Sequence, residues 1–372
     1  METRGPRCFM SLAINSQVSL APYTTLRLGG PARFFAEATD EAAVREALAW
    51  AEQRSIPTFV LGAGSNLIVP DTGYDGLVVR IATRGLTFTA DDEGMICEAA
   101  AGEPWDDVVA ASVARDLGGL ECLSGIPGTT GATPVQNVGA YGQEVADTIT
   151  SVRVLERANN QVRDFAPGDC AFAYRDSVFK RDPGKFVVTS VRFRLIAGAA
   201  PTLRYAELQT ALAATPTPTL ADTRAAVIAL RRRKSMVLDD ADPNRRSVGS
   251  FFTNPILATD AFDELCARVV GLGLAKSSAD IPRYPAGPGQ IKMPAAWLIE
   301  RAGFHKGLRR GPVGLSSAHT LALVHHGSGT TDALLALARE IRDGVATRFG
   351  VRLSPEPVIL GATDPADPLR LA

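Results

Sequence analysis

A chain of 372 residues, 46% hydrophobic and 21% charged, can bury the cores of two or three packing units, which excludes a disordered or fibrous protein. Its formal net charge of −1 contains no long single-sign run, so neither nucleic-acid binding nor a polybasic membrane anchor is expected. Cys8, Cys97, Cys122, Cys170 and Cys266 form no CxxC pair, which fits structural thiols in a reducing compartment and argues against a metal site or a disulfide framework.

The first residues, METRGPRCFMSLAINSQVSLAP, lack the apolar centre of a secretory signal, and no later window reaches the roughly 18 apolar residues of a membrane span. A cytoplasmic protein is therefore expected. Asp40 is placed to cap a helix through DEAAVREALAWAEQRS, with Val44, Leu48 and Ala51 on one face, and IPTFVLGAG reads as a strand ending in a glycine turn. DGLVVRI and MICEAAAG read as strands, and WDDVVAASVARDL as an amphipathic helix stopped by Gly118 and Gly119. TSVRVLE and KFVVTSVRFRL follow as strands, the second alternating Val191, Phe193 and Leu195 with Arg192 and Arg194.

From 197 to 221 the texture turns to alanine, proline and threonine, where we expect a surface excursion and the main change of domain. Asp222 then starts a helix reaching the basic run RRRK, TDAFDELCARVVGLG forms another, and Pro294 suits the first turn of a short one through Trp297 and Leu298. The clearest helix is TDALLALAREIRDGVATRFG, whose Leu334, Leu337, Ala338, Ile341, Val345 and Phe349 make a core-facing stripe stopped by Gly350. PVILG reads as a last strand, and the residues after Gly361 as a disordered tail.

Two stretches carry chemistry. LGAGSNL, residues 61 to 67, offers Gly62, Gly64, Ser65 and Asn66 in a turn able to hold phosphate oxygens, although Leu67 stands where a dinucleotide fingerprint needs glycine. Taken alone, a plain glycine turn is the favoured reading. From Cys122 to Gln143 the chain then runs 22 residues without an ionised side chain while carrying Gly125, Gly128, Gly131, Gly139 and Gly142. Two neutral glycine loops could sandwich one large, flat, diphosphate-bearing cofactor, with Thr129, Thr130, Gln136 and Asn137 supplying hydrogen bonds. A tightly folded structural loop is the alternative. All four histidines lie at or beyond His305, so no histidine-built metal or triad site can occupy the first 300 residues.

TTLRLGGPARFF, LGAGSNLIV, GLECLSGIPGTTGATPVQNVGAYGQEV, FAYRDSVFK, VGSFFTNP, AAWLIERAGFHKG and PEPVILG follow one another from Pro22 to Gly361 in an order that resembles the UDP-N-acetylenolpyruvoylglucosamine reductases. The resemblance implies an α+β fold: a two-part FAD-binding domain of the vanillyl-alcohol-oxidase-like type and a C-terminal α+β substrate-binding domain. It implies non-covalent FAD, NADPH as electron donor, and reduction of an enolpyruvyl ether on a UDP sugar. The cofactor set on this chain would be Gly62, Gly64, Ser65, Asn66, Gly125, Gly128, Thr129, Gly131, Gln136, Asn137 and Gly139. By the same resemblance Arg175 grips the substrate carboxylate, Ser250 donates the proton, and Glu356 assists.

The chemistry is consistent with those types, because hydride addition to the enolpyruvyl methylene leaves negative charge that needs a cation and a proton donor. Glu356, set against a substrate carboxylate, would bind a proton more tightly. Each also has a plain reading: Arg175 as a surface ion pair, Ser250 as a loop hydroxyl, Glu356 as a strand-entry charge. Lys234 and Asn254 would meet the diphosphate or sugar, His319 the UDP moiety, and Tyr205 would close a lid over the nucleotide. A solvated helix end is the alternative for Lys234, a core histidine for His319 and a static loop for Tyr205. We carry no residue across from 273–290.

The expected division is 1–82 with 351–361, then 83–219, then 220–350, then the tail. One flavin serving NADPH and the sugar nucleotide in turn predicts ping-pong kinetics. A monomer is favoured. Two rivals are an FAD oxidase or dehydrogenase of another hydroxylated small molecule and a redox-inactive UDP-sugar regulator.

Overall fold

The computed structural model describes residues 12–362, 364 and 367–369. Asp40 begins the first helix as expected, its carboxylate accepting the Ala43 amide at 2.8 Å. Glu41–Glu52 buries Val44, Ala47 and Ala51 and leaves Leu48 half-buried at the edge of the contact. Beneath it lies a four-stranded sheet in the order Ile14–Ser19, Pro31–Ala38, Tyr74–Ile81, Thr58–Leu61, antiparallel at the first pair and parallel at the others. Leu67–Ile68, just past the first glycine turn, pairs in parallel with Val358–Ile359, which brings the end of the chain back to its beginning.

A second, antiparallel sheet runs in the order Gln161–Phe165, Ile149–Glu156, Phe186–Ala197, Gly94–Ala100, Leu86–Asp91. Its long strand buries Val191, Phe193 and Leu195, while Arg192 and Arg194 pair with Glu98 and Asp91 at 2.9 Å each. The period of two is thus realised with one face in the core.

Three local expectations need correcting. The helix Trp105–Val113 ends before Gly118, because the chain turns at Asp116 in the left-handed region (φ +56°) and Leu117–Gly118 joins Phe186–Ala197 as a strand. The helix Leu220–Arg233 is capped by Thr219, not Asp222: the Thr219 hydroxyl accepts the Asp222 amide and the Asp222 carboxylate accepts the Thr219 amide, closing a capping box. The described residues of the tail after Gly361 are anchored, since Leu369 is fully buried in the C-terminal core, its carbonyl accepts Arg339 Nη1 at 2.8 Å, and Asp367 pairs with Arg342.

The C-terminal core gathers the helices Thr259–Gly271, Ala295–Arg301 and Thr331–Phe349 with two small three-stranded sheets. Every residue of the expected stripe on Thr331–Phe349 is buried, and Gly350 ends that helix at φ +75°. Leu26, Leu28 and Ile68 from the N-terminal part complete the same core. Helix Leu220–Arg233 packs elsewhere: Val227 and Leu230 meet Cys122, Leu208 and Leu212, so by packing it goes with the segment before the expected change at 220. Cys97, Cys122, Cys170 and Cys266 are buried thiols, the first three pushed up to about 12 by burial, and Cys8 lies outside the described residues. Among the described residues no helix is long and apolar enough to cross a membrane.

Candidate active site

Strand Thr58–Leu61 runs directly into the first glycine turn. Gly64 is left-handed (φ +62°), and a Cβ on it would stand 2.2 Å from the Tyr23 carbonyl oxygen, so the turn closes only with glycine there. A Cβ on Gly62 would meet Thr129 Oγ1 at 2.7 Å, and one on Gly128 would meet Ser65 Oγ at 3.3 Å. The two glycine loops therefore abut. They form one continuous backbone-rich wall, not the two faces of a sandwich that their separation in sequence suggests.

Asn66 is the hub of this wall. Its side-chain amide donates to Gln136 Oε1 at 2.6 Å and to the Glu356 carbonyl at 3.3 Å, while its own carbonyl accepts the Val358 amide at 3.0 Å. One side chain thus joins the first turn, the second loop and the end of the chain. The second loop is pinned from behind. The Gly125 amide donates to Asp106 Oδ1 at 2.6 Å, Asp106 takes both Arg224 amino groups at 2.6 and 2.8 Å, and the Trp105 indole donates to the Leu123 carbonyl at 3.1 Å.

Two of the expected cofactor residues face inward. Gly131 lies against Ala101, where a Cβ would stand 2.5 Å from the Ala101 methyl. Asn137 is buried, with its amide given to Glu144 and Ala173 and its oxygen taken by the Ala146 amide. Close packing and internal hydrogen bonding account for both.

Arg175, Ser250 and Glu356 come together on one cleft with Ser65, Gln136 and Gly139; it holds about 840 Å³ counted to its open mouth. Arg175 adopts a left-handed backbone (φ +54°), a conformation costing about 1–2 kcal/mol for a residue with a side chain. Lys180 Nζ holds its carbonyl at 2.8 Å, and the guanidinium donates to the Gly139 carbonyl at 2.6 Å and pairs through Nε with Glu356 at 3.3 Å. Backbone bonds explain why Ser250 and Glu356 are neighbours: the Glu356 amide donates to the Phe251 carbonyl at 2.8 Å and the Thr253 amide to the Ser354 carbonyl at 3.0 Å. Burial pushes the Glu356 carboxyl up, against the opposing pull of Arg175 and Lys180.

Most of the remaining lining comes from the run Arg231 to Ser250, which starts against Gly125 of the second loop. Here sequence reasoning missed Arg231, seen only as one member of a basic run. Its Nη2 donates to the Met236 carbonyl at 2.7 Å, its Nε is buried without a partner, and burial lowers its pKa to about 10, so it stays charged. Arg245, Ser235 and Ser247 line the cleft from the same run. A buried cation with an unspent donor, its Nε 3.7 Å from where a Cβ on Gly125 of the second glycine loop would stand, fits a group carrying phosphates and carbonyl oxygens. The residues present suit FAD.

Lys234 caps the helix Leu220–Arg233 and pairs with Glu207 at 2.5 Å. Tyr205 packs edge-on against Tyr141, ring centroids 5.4 Å apart, at the rim of the second loop. His319 accepts the Leu321 amide on Nδ1 at 3.1 Å and is lowered to about 4 by burial, then by Lys234 and Lys306, so it is neutral with Nε2 left to donate. Asn254 is set apart: its Oδ1 accepts the Ala295 amide at 2.9 Å at the start of helix Ala295–Arg301, and it lines an adjoining groove with Tyr174 and Lys180.

Comparison with known proteins gives a consistent result. A model of the UDP-N-acetylenolpyruvoylglucosamine reductase C-terminal domain matches residues 242–360, and one of an FAD binding domain matches residues 32–165. A UDP-N-acetylenolpyruvoylglucosamine reductase of Saccharopolyspora erythraea is 52% identical over 352 residues, 92% of this chain and 94% of that one. One from Thermobifida fusca is 48% identical over 363 residues, 95% of this chain and all of that one. The crystal structure of UDP-N-acetylenolpyruvylglucosamine reductase from Thermus caldophilus superposes with a TM-score of 0.63 at 26% identity, covering 94% of this chain and 99% of that chain.

Proposed function

The chain belongs to the UDP-N-acetylenolpyruvoylglucosamine reductase family, as an FAD-containing oxidoreductase, and from there we propose its reaction in detail. It reduces UDP-N-acetylglucosamine enolpyruvate to UDP-N-acetylmuramate with electrons from NADPH. The observation that carries this reading is the convergence of Arg175, Ser250 and Glu356 on the cleft beside the glycine loops.

When bound, FAD supplies hydride chemistry, linking the nicotinamide to the enolpyruvyl methylene. Ser65, Gln136 and Gly139 would hold it, with Arg231 beside Gly125 supplying the charge. Hydride addition at the methylene leaves negative charge on the adjacent carbon, delocalised into its carboxylate. Arg175, presented in a fixed orientation by its backbone and by the Gly139 carbonyl, binds that carboxylate through its remaining N–H groups. Ser250 gives its proton to the carbon. Glu356, whose burial favours the protonated form, donates a hydrogen bond into the developing charge.

Lys234 and the neutral His319 receive the diphosphate and uridine portion, with Tyr205 closing over it; Asn254 is assigned to the sugar side from the adjoining groove. NADPH and the sugar nucleotide use the one cleft in succession, which gives ping-pong kinetics. We divide the labour among 1–82 with 351–361, 83–219 and 220–350, the helix Leu220–Arg233 packing against the second of these.

The test separates the half-reactions. The bound flavin is reduced with NADPH without oxygen, and the enolpyruvyl sugar nucleotide is then added. Ser250→Ala is expected to keep flavin reduction and to slow reoxidation by about 10²- to 10⁴-fold, the worth of a positioned proton donor. Equal loss in both halves would remove Ser250 from the mechanism.

A further inference from the structure

The cation assigned to the diphosphate already has an anion. Lys234 Nζ lies 2.5 Å from Glu207 Oε2, and the two side chains are 32% and 36% exposed, so this is an accessible pair. Glu207 stands on the short helix Ala206–Ala211, which Leu208 docks against Val227 and Leu230 of the helix that Lys234 ends. Tyr205 immediately precedes that short helix and touches Tyr141, whose ring lies 5.8 Å from Lys234 Nζ. Lys234, Lys306 and Glu207 all act electrostatically on His319, which is neutral, so the cluster sets two cations against one anion beside the cleft residue Ser235.

We propose that Glu207 is a built-in competitor for the sugar nucleotide's diphosphate, occupying Lys234 until a more highly charged ligand displaces it. The inference rests on the assignment of the diphosphate to Lys234 made above. A diphosphate carries more charge than a carboxylate and more acceptor oxygens, so it takes the ammonium where a weak monoanion does not. Glu207 thereby selects for ligands bearing a diphosphate. It also couples the seat to the lid: once Lys234 turns to phosphate, the segment carrying Tyr205 and Glu207 loses its ionic tether and is free to rearrange over the ligand. The cost of the selection is affinity. Breaking an ion pair as exposed as this one, with the released carboxylate left near the phosphates, weakens binding about three- to fivefold.

The experiment titrates the flavin-loaded protein with UDP, and with uridine as the probe lacking phosphate, by calorimetry. Glu207→Gln is expected to tighten UDP about three- to fivefold and to leave uridine unchanged. Lys234→Met is expected to weaken UDP tenfold or more, and adding Glu207→Gln to it to bring no further gain. If Lys234→Met weakens UDP while Glu207→Gln leaves it unchanged or weaker, the competitor role is overturned and the diphosphate assignment stands. If UDP ignores Lys234→Met, the assignment of Lys234 is wrong and the role of Glu207 falls with it. Glu207→Ala serves as the second variant, and a gain for uridine equal to that for UDP would also overturn the proposal.

Discussion

On the glycine side of the cleft the surface is backbone, locked from behind by Asp106, Trp105 and Asn66, and the neighbouring loops approach so closely that Cβ atoms have no room. In the remaining lining, Arg231 to Ser250 runs without helix or strand from Ser235 onward, Leu238 is 60% exposed, and the wall is made of side chains held by a few bonds such as Thr25 Oγ1 to the Ser247 carbonyl at 2.7 Å. The first wall is rigid and neutral. The second is charged and adaptable. A cofactor that stays suits the first, with Arg231 of the second reaching it as well.

The sharpest way to break this comparison uses one left-handed glycine from each wall. Gly64→Ala drives a methyl into the Tyr23 carbonyl and is expected to cost about 3 kcal/mol or more, giving a colourless, poorly folded protein. Gly249→Ala has the same sign of φ (+75°) but open space around it, and is expected to cost only about 1–2 kcal/mol with flavin retained. Denaturant melts and the visible flavin spectrum decide, and equal costs would erase the distinction between the walls.

A pH experiment is next in size. His319 is lowered from 6.5 to about 4, so its contribution to stability is fully present above pH 6.5 and lost as pH falls toward 4, about 3 kcal/mol in all. His319→Asn lacks this titration, and its stability is expected to fall less steeply than the parent's between those limits. Parallel curves for the two proteins would mean that His319 is not buried neutral.

Arg231→Met probes the charged wall with opposite signs in two readouts. The buried, partly unpartnered guanidinium is a burden to the flavin-free protein, so the apoprotein is expected to melt at the same temperature or slightly higher. Its affinity for FAD, followed by flavin fluorescence, is expected to fall about tenfold, as for loss of a charge-assisted contact. A lower apoprotein melting temperature with unchanged FAD affinity would make Arg231 structural.

How much of this was legible beforehand depended on how local each determinant is. The stripe of Thr331–Phe349, the cap at Asp40 and the alternation around Phe193 are written in neighbouring residues, because a helix or a half-buried strand is decided by period and by end groups. Arg175, Ser250 and Glu356 came from the family resemblance of the motif order and from no local period, and the bonds that bring Ser250 and Glu356 together join distant runs. Misread positions were of two kinds, a capping box read from its wrong end and an anchor made by a residue far along the chain. Thr219 rather than Asp222 began a helix because their two side chains bond each other's amides, and Leu369 was anchored by Arg339, residues away in a tail of unremarkable composition.

By itself, then, the amino-acid sequence determined the family, the secondary elements with clear periods, and a neutral glycine surface suited to a large cofactor. Tertiary structure alone decided that the two glycine loops share one wall, that Gly131 and Asn137 turn into the protein, and that Arg231 faces the cleft. It also decided that Lys234 spends its charge on Glu207. The physical reason is direction: composition and spacing say which groups are available, but which way a side chain points is set by what packs against it from far along the chain.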